Sequence, residues 1–288
     1  MKAGFAGILV KLSISMWDGK KSDKKATAVV AKSFNSQQGF GDFIKNLFPG
    51  PSRLYLDKVQ QVATQIRAFH YRETAPWYEG VQVLKASAYT NYDLEMSRLI
   101  KGVWVEAVRA FEENYDQMVE EAKTYLGGLF NQTDYPKLED LKRKFEIRHQ
   151  YFELRETEDF RLHLSPEAEE RLKSEFEKSF NSQLGEALTA VYKRIDAALQ
   201  QAMKNLTVLP GSGRFRKEWH SNLKDLVDSM GSLNLTDDPK LTELGDQIKK
   251  FLEDYPLEDV EEVLPARQEA QRKVQGIMDA FKSIGEGR

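Results

Sequence analysis

Glu146-Ile147-Arg148-His149 carries the Glu-x-x-His spacing with which di-iron carboxylate bundles hold their ions. Such a centre takes two copies of the motif and two further inward glutamates. The chain holds no second copy, so the four residues read as a polar helix face. Pro210-Gly211-Ser212-Gly213-Arg214 invites comparison with a phosphate-cradling loop. That loop ends in Gly-Lys-Ser/Thr, where lysine neutralises phosphate and the hydroxyl holds magnesium; here Arg214-Phe215-Arg216 follows. A linker is the better reading. The four histidines, His70, His149, His163 and His220, are scattered, and neither a Gly-x-Ser-x-Gly elbow nor a His-Glu-x-x-His pair occurs. With 0 cysteines, disulfides, thiolate metal sites and cysteine nucleophiles are excluded. The expectation is a non-enzyme with no catalytic residues, metal or cofactor.

Charge is the other chemistry on offer. Lys20, Lys21, Lys24 and Lys25 form one basic cluster, interrupted by Asp23. Arg214, Arg216, Lys217 and Lys224 form a second, beside Phe215 and Trp219. Basic residues interleaved with aromatics can track a phosphate backbone and stack bases, so Lys20, Lys21, Lys24, Lys25, Arg214, Arg216 and Lys217 are the candidate nucleic-acid contacts of an alternative reading. Overall balance argues the other way: 42 Lys and Arg against 45 Asp and Glu leave −3, which removes the plain case for a DNA-coating protein. From Asp237 to Glu262 acids dominate. Asp254, Glu258, Asp259, Glu261 and Glu262 make a candidate acidic patch for a basic protein partner.

The elements that must position these groups are mostly helices. Val10, Leu12, Ile14 and Met16 alternate with polar residues, the period of a half-buried strand, and Asp18-Gly19 turns the chain. Lys24 to Phe34 reads as a short helix with Ala28, Val30, Ala31 and Phe34 inward. Residues 35–52 read as a loop anchored by Phe43, Ile44, Leu47 and Phe48, and Ser52 as the cap of a helix from Arg53 to Tyr71. A short strand fits Val81 to Leu84. Trp104, Val108, Phe111, Tyr115, Met118, Ala122, Tyr125 and Leu129 recur at four–three spacing, which keeps one seam on a partner. That predicts a helix from Tyr92 to Gly127, about 54 Å long, with Gly127-Gly128 as its stop. A helix starts at Tyr135-Pro136 with Leu138, Leu141, Phe145 and His149 on one face, and Asp159 to Leu164 alternates as a strand. Ser165-Pro166-Glu167 opens a second long helix running to Asn205. Shorter helices follow at 215–232, 239–253 and 257–284. No stretch has the continuous apolar length of a signal peptide or membrane span, so a soluble cytosolic protein is expected.

Several blocks carry a family resemblance: Leu9-Val10-Lys11-Leu12-Ser13-Ile14-Ser15-Met16-Trp17, Leu126-Gly127-Gly128-Leu129-Phe130-Asn131, Asp134-Tyr135-Pro136, Leu141-Lys142-Arg143-Lys144-Phe145 and Asp159-Phe160-Arg161-Leu162. Over residues 8–206 the chain resembles an uncharacterised family of tailed bacteriophages, the domain of unknown function thirty-one-fifty. Its members are often encoded beside a MoxR-type AAA+ ATPase and a von Willebrand factor A domain protein. The resemblance implies an accessory role with those partners in the host bacterial cytoplasm, and brings no catalytic residues.

The expected fold is mainly α (α+β): a long antiparallel helical hairpin, a small antiparallel sheet at one end and a C-terminal helical extension. The expected organisation is residues 1–208, a linker over 209–214 and an acidic helical segment over 215–288. The expected function is a non-enzymatic scaffold that binds protein partners and self-associates, with nucleic-acid binding as the alternative and no membrane contact.

Overall fold

The computed structural model describes residues 5–37, 39, 41–154, 165–208 and 215–285. Of these, 71% are helical, and a four-stranded antiparallel sheet makes the chain mainly α with an α+β core. The expected strand at Asp159–Leu164 and the linker 209–214 lie outside the described residues. No described helix is long and apolar enough to cross a membrane.

The chain divides into two compact units. The larger comprises Met1–Lys11, His70–Asp93 and Gln150–Arg288, and the smaller Leu12–Phe69 and Leu94–His149. The C-terminal helices therefore share a unit with the second long helix, and the division does not fall at residues 209–214.

The sheet holds β1 (Gly7–Ser15), β4 (Ala75–Tyr78), β5 (Val81–Lys85) and β6 (Glu146–Glu153) in the order β4-β5-β1-β6. β1 pairs antiparallel with β5, Gly7 opposite Lys85 and Lys11 opposite Val81. A two-stranded ribbon joins β2 (Lys20–Ser22) to β3 (Ile44–Asn46). The helix expected to run on to His149 is cut short: α5 covers only Leu138–Lys142, and β6 follows. Along β6 the residues alternate, Ile147, His149 and Tyr151 half-buried and Glu146, Arg148 and Gln150 exposed, which is a strand's period.

In the larger unit, α6 (Pro166–Leu206) starts as expected, with Ser165 accepting the Ala168 N–H and Pro166 at the first turn. Its 41 residues span about 60 Å. Ala187, Val191, Ile195, Leu199, Ala202 and Leu206 form its buried stripe. That stripe packs on β4, α7 (Glu218–Leu233) and α10 (Leu264–Gly285). α8 (Pro239–Asp254) and α9 (Leu257–Glu262) complete the layer, and Val263 breaks the last expected helix into α9 and α10.

In the smaller unit, α2 (Leu54–Glu73, to Phe69 here) buries Leu56, Val59, Val62, Ala63 and Ile66. Ser52 does not cap it. A 3-10 turn, Pro51–Arg53, leads into the helix from Gly50, and Ser52 instead gives its hydroxyl and N–H to Glu121. Those two bonds hold the Glu121 carboxyl below the usual range.

The first long helix is α3 (Tyr89–Arg98), a π-helical turn (Leu99–Trp104) and α4 (Val105–Leu126). The buried positions Tyr92, Met96 and Leu99, then Trp104, Ala107, Phe111, Tyr115, Met118 and Ala122, show why. Every step is three or four residues except Leu99 to Trp104, which is five. A π turn absorbs the extra residue and returns Trp104 to the apolar face. Gly127 ends α4 at φ +49° and ψ −121°, a conformation that a Cβ resists. On either side of it the expected seam has stopped: Tyr125 is 58% and Leu129 38% exposed.

Each seam finds its partners inside its own unit. For α4 these are aromatic: Phe48 lies 5.6 Å from Trp17, 6.0 Å from Tyr115 and 5.6 Å from Tyr135, and Phe111 lies 5.2 Å from Phe145. Large rings bring much apolar area to this seam, and within the unit they pack on rings from the flanking loops. Tyr135 ties the loop down by donating its hydroxyl to the Leu47 carbonyl at 2.7 Å. Burial, then the charge of Asp134, pushes this phenol up from 10.0 to about 12. Tyr135→Phe is expected to cost about 1–2 kcal/mol, read as a lower urea midpoint. The folded value is raised, so this contribution is complete below pH 10.0 and fades as pH climbs toward about 12.

Candidate functional site

The first basic cluster gathers on one lobe of the smaller unit. Gly19, at φ +67°, turns the chain where a Cβ would strike the Leu56 side chain at 2.6 Å. The Lys20 N–H donates to Asp18 Oδ1 at 3.0 Å, closing the turn and placing Lys20 and Lys21 on β2. Asp23 then caps α1 (Lys24–Ser33), its Oδ1 accepting the N–H groups of Lys25 and Ala26 at 3.0 Å each. The start of α1 is stitched to the strand leading into β3. The Asp23 N–H donates to the Phe43 carbonyl at 2.8 Å, and the Phe43 N–H donates to Thr27 Oγ1 at 2.9 Å.

Beneath lies a residue the sequence does not single out. Lys45, on β3, is 4% exposed. Its ammonium donates to Asp23 Oδ2 at 2.9 Å, Asp134 Oδ2 at 2.7 Å and the Leu129 carbonyl at 2.7 Å, so all three protons are used. Burial alone would lower the Lys45 value, but the bonds to Asp134 and Asp23 outweigh it and hold the ammonium above 10.5. The Asp23 carboxyl sits below its ordinary range, first through the Ala26 N–H and then through Lys45. Both ends of this cluster stay charged at neutral pH. It holds structure and has no group poised to move a proton.

Above the cluster runs an open groove of about 790 Å3 between α1 and Gly128–Asn131. Ala26, Val29, Val30, Phe43, Leu129 and Phe130 supply its apolar lining, and Lys24 and Lys25 stand at one end. The inward face expected for α1 is not formed: none of its residues is buried, Val29 is 65% exposed, and Phe34 just beyond it is 79% exposed. Ile44 on the neighbouring ribbon is 60% exposed. A helix that buries none of its apolar side chains among the described residues is a surface with spare apolar area.

In the larger unit the second basic cluster and the acidic patch meet each other. Lys217 pairs with Glu261 at 2.7 Å, and its ammonium is raised by that bond and by the charges of Glu261, Glu258 and Glu262. The exposed Arg216 gives its backbone N–H to Asn205 Oδ1 at 3.0 Å, and Arg214 lies outside the described residues. Asp254, Glu258, Asp259 and Glu262 are exposed. His220, beside them, is held below its ordinary value mainly by burial, and Lys224 adds to this against Glu258.

The remaining sequence candidates are structural. Glu146 and His149, three apart on β6, face opposite sides, and Glu146 pairs with Arg148 at 2.7 Å. Among the described residues no three His, Asp or Glu side chains converge as a metal set. His70 is 1% exposed, with Nδ1 2.6 Å from the Tyr92 hydroxyl. His163 lies outside the described residues.

No protein-family model matches the chain, and no curated protein and no solved structure matches it.

Proposed function

We infer that the chain is a non-enzymatic binding protein that docks a protein partner in the groove beside α1. The carrying observation is exposed apolar area at that helix: Val29, which lines the groove, is 65% exposed, and Phe34 just past the helix end and Ile44 on β3 also stand in solvent. The Lys45 cluster braces the groove, and the shifts of Lys45 and Asp23 keep both charged at neutral pH, away from acid–base work. In the tailed-phage setting that the sequence resemblance implies, the partner is a MoxR-type AAA+ ATPase or its von Willebrand factor A domain companion, and the chain is their adaptor in the host cytoplasm.

Nucleic acid is a second reading, drawing on the unpaired lysines of the same lobe. The exposed apolar side chains among them are mainly aliphatic, however, and base stacking needs flat rings.

Purified chain mixed with each of the two phage proteins is expected to form a complex on size exclusion. Val29→Asp and Phe34→Asp should each weaken it roughly tenfold or more, with circular dichroism unchanged because neither side chain is buried. Complex formation with neither protein would remove the adaptor role, and a complex indifferent to both substitutions would remove the groove as its seat.

A further inference from the structure

We propose that the groove beside α1 selects an acidic, amphipathic helical segment of its protein partner, an inference that rests on the docking role above. Among the described residues Lys20, Lys21, Lys24 and Lys25 form no ion pair, although ion pairs are common elsewhere in the chain. The acids at the groove are already engaged. Asp23 Oδ1 accepts the Lys25 and Ala26 N–H groups and its Oδ2 accepts from Lys45, and Asp134 Oδ2 likewise accepts from Lys45. The lining side chains that still offer charge to solvent are therefore Lys24 and Lys25, although the whole chain carries −3.

Charge and shape specify the partner together. An apolar segment alone would cover Val29 and leave the Lys24 and Lys25 ammonium groups without counter-charges at the rim. A basic one would be repelled by them. A segment with carboxylates on one face and large aliphatic side chains on the other satisfies both. α1 has 10 residues, about 15 Å, so it can lie against three turns of a partner helix with apolar anchors at i, i+4 and i+7. The anchors enter between Val29 and Leu129 while the acids meet Lys24 and Lys25.

The test uses the full chain and two synthetic helical peptides that share a leucine face, one with a glutamate polar face and one with lysine in its place. Fluorescence anisotropy is expected to show the glutamate peptide bound at least roughly tenfold tighter, with affinity falling as salt rises. Lys24→Glu with Lys25→Glu should reverse the preference, a gain for the lysine peptide that a merely unfolded variant cannot produce. Val29→Asp should weaken both peptides. Equal binding of the two peptides, or binding of neither, overturns the acidic-segment inference; if Val29→Asp still disrupts the phage-protein complex, the docking role survives that failure. A single-stranded oligonucleotide that outcompetes the glutamate peptide, with the same dependence on Lys24 and Lys25, overturns it in favour of nucleic acid.

Discussion

Lys45→Met is expected to cost about 3–5 kcal/mol of folding stability, because it leaves two carboxylates facing each other without their shared cation. Asp23 and Asp134 are only 15% and 11% exposed, so water cannot replace the ammonium fully. The Leu129 carbonyl loses its donor at the same time. Adding Asp134→Asn to the same chain should return much of the loss, since one buried carboxylate with its helix-cap donors is tolerable where two are not. Urea melts of the two variants decide the matter. Similar stability of Lys45→Met and the unmodified chain would show that the cluster is idle.

The pH response separates this from a simple packing defect. In the unmodified chain the Asp23 value is depressed below 3.8, so its contribution is present above pH 3.8 and lost as pH falls through the folded value. Lys45 is raised above 10.5, so its contribution is complete below pH 10.5 and lost as pH rises through the folded value. In Lys45→Met the part of the first dependence that Lys45 supplies is lost, while the larger part, from the Ala26 N–H, remains. The consequence reaches the groove. α1 buries no side chain, so its attachment depends on Asp23, Thr27 and the bonds they make to Phe43 and Lys45. Faster amide exchange throughout α1 is therefore expected in the variant, ahead of global unfolding.

Sequence periodicity sees a single element well and a pairing poorly. The Ser165-Pro166 start of α6, the alternation of β1 and the stop at Gly127 are local signals, and the structure keeps all three. The five-residue step from Leu99 to Trp104 was also visible, and a strict heptad reading passed over its meaning as a π turn. Glu146–Glu153 could be taken for a helix because Glu-x-x-His invites one, although the alternation of Ile147, His149 and Tyr151 pointed to a strand. Which seam meets which is not written in either seam. Phe48, far upstream of α4 in sequence, packs on Tyr115 of that seam and on Tyr135 from the loop that follows the helix.

The candidate site was legible to the same degree. The lysines at 20, 21, 24 and 25 stand out by composition, whereas Asp23 looked like an interruption of the run. Asp before Lys-Lys-Ala is a helix-cap signal, and reading it so would have placed α1 by a side chain that also binds Lys45. Lys45 itself hides among Ile44, Leu47 and Phe48, and its partners come from two other parts of the chain, Asp23 before it and Leu129 and Asp134 well after it. Lys217 and Glu261 belonged to two separate candidate patches until folding paired them.

Arg267→Met should be the other severe lesion, about 3–5 kcal/mol, in the larger unit. Arg267 is 2% exposed and stands in the first turn of α10. Its Nε donates to the Val260 carbonyl at 2.6 Å, and its two terminal nitrogens donate to the carbonyls of Val208 and Glu261. These are carbonyls near the C-terminal ends of α9 and α6, which have no donor within their own helices and carry the negative end of each helix dipole. The Phe215 ring covers the guanidinium at 4.5 Å. Burial lowers the arginine's value and Glu261 opposes it. Removing the side chain orphans three carbonyls at once and uncovers one aromatic face. Arg267→Lys should recover little, because an ammonium cannot reproduce a planar fork that reaches three acceptors in different directions. A lysine variant as stable as the unmodified chain would show that charge alone suffices. The lesion also has a surface readout: α9 carries Glu258, Asp259 and Glu262, so loosening its end frees Lys217 from Glu261 and should raise amide exchange across α9 before the rest of the unit opens.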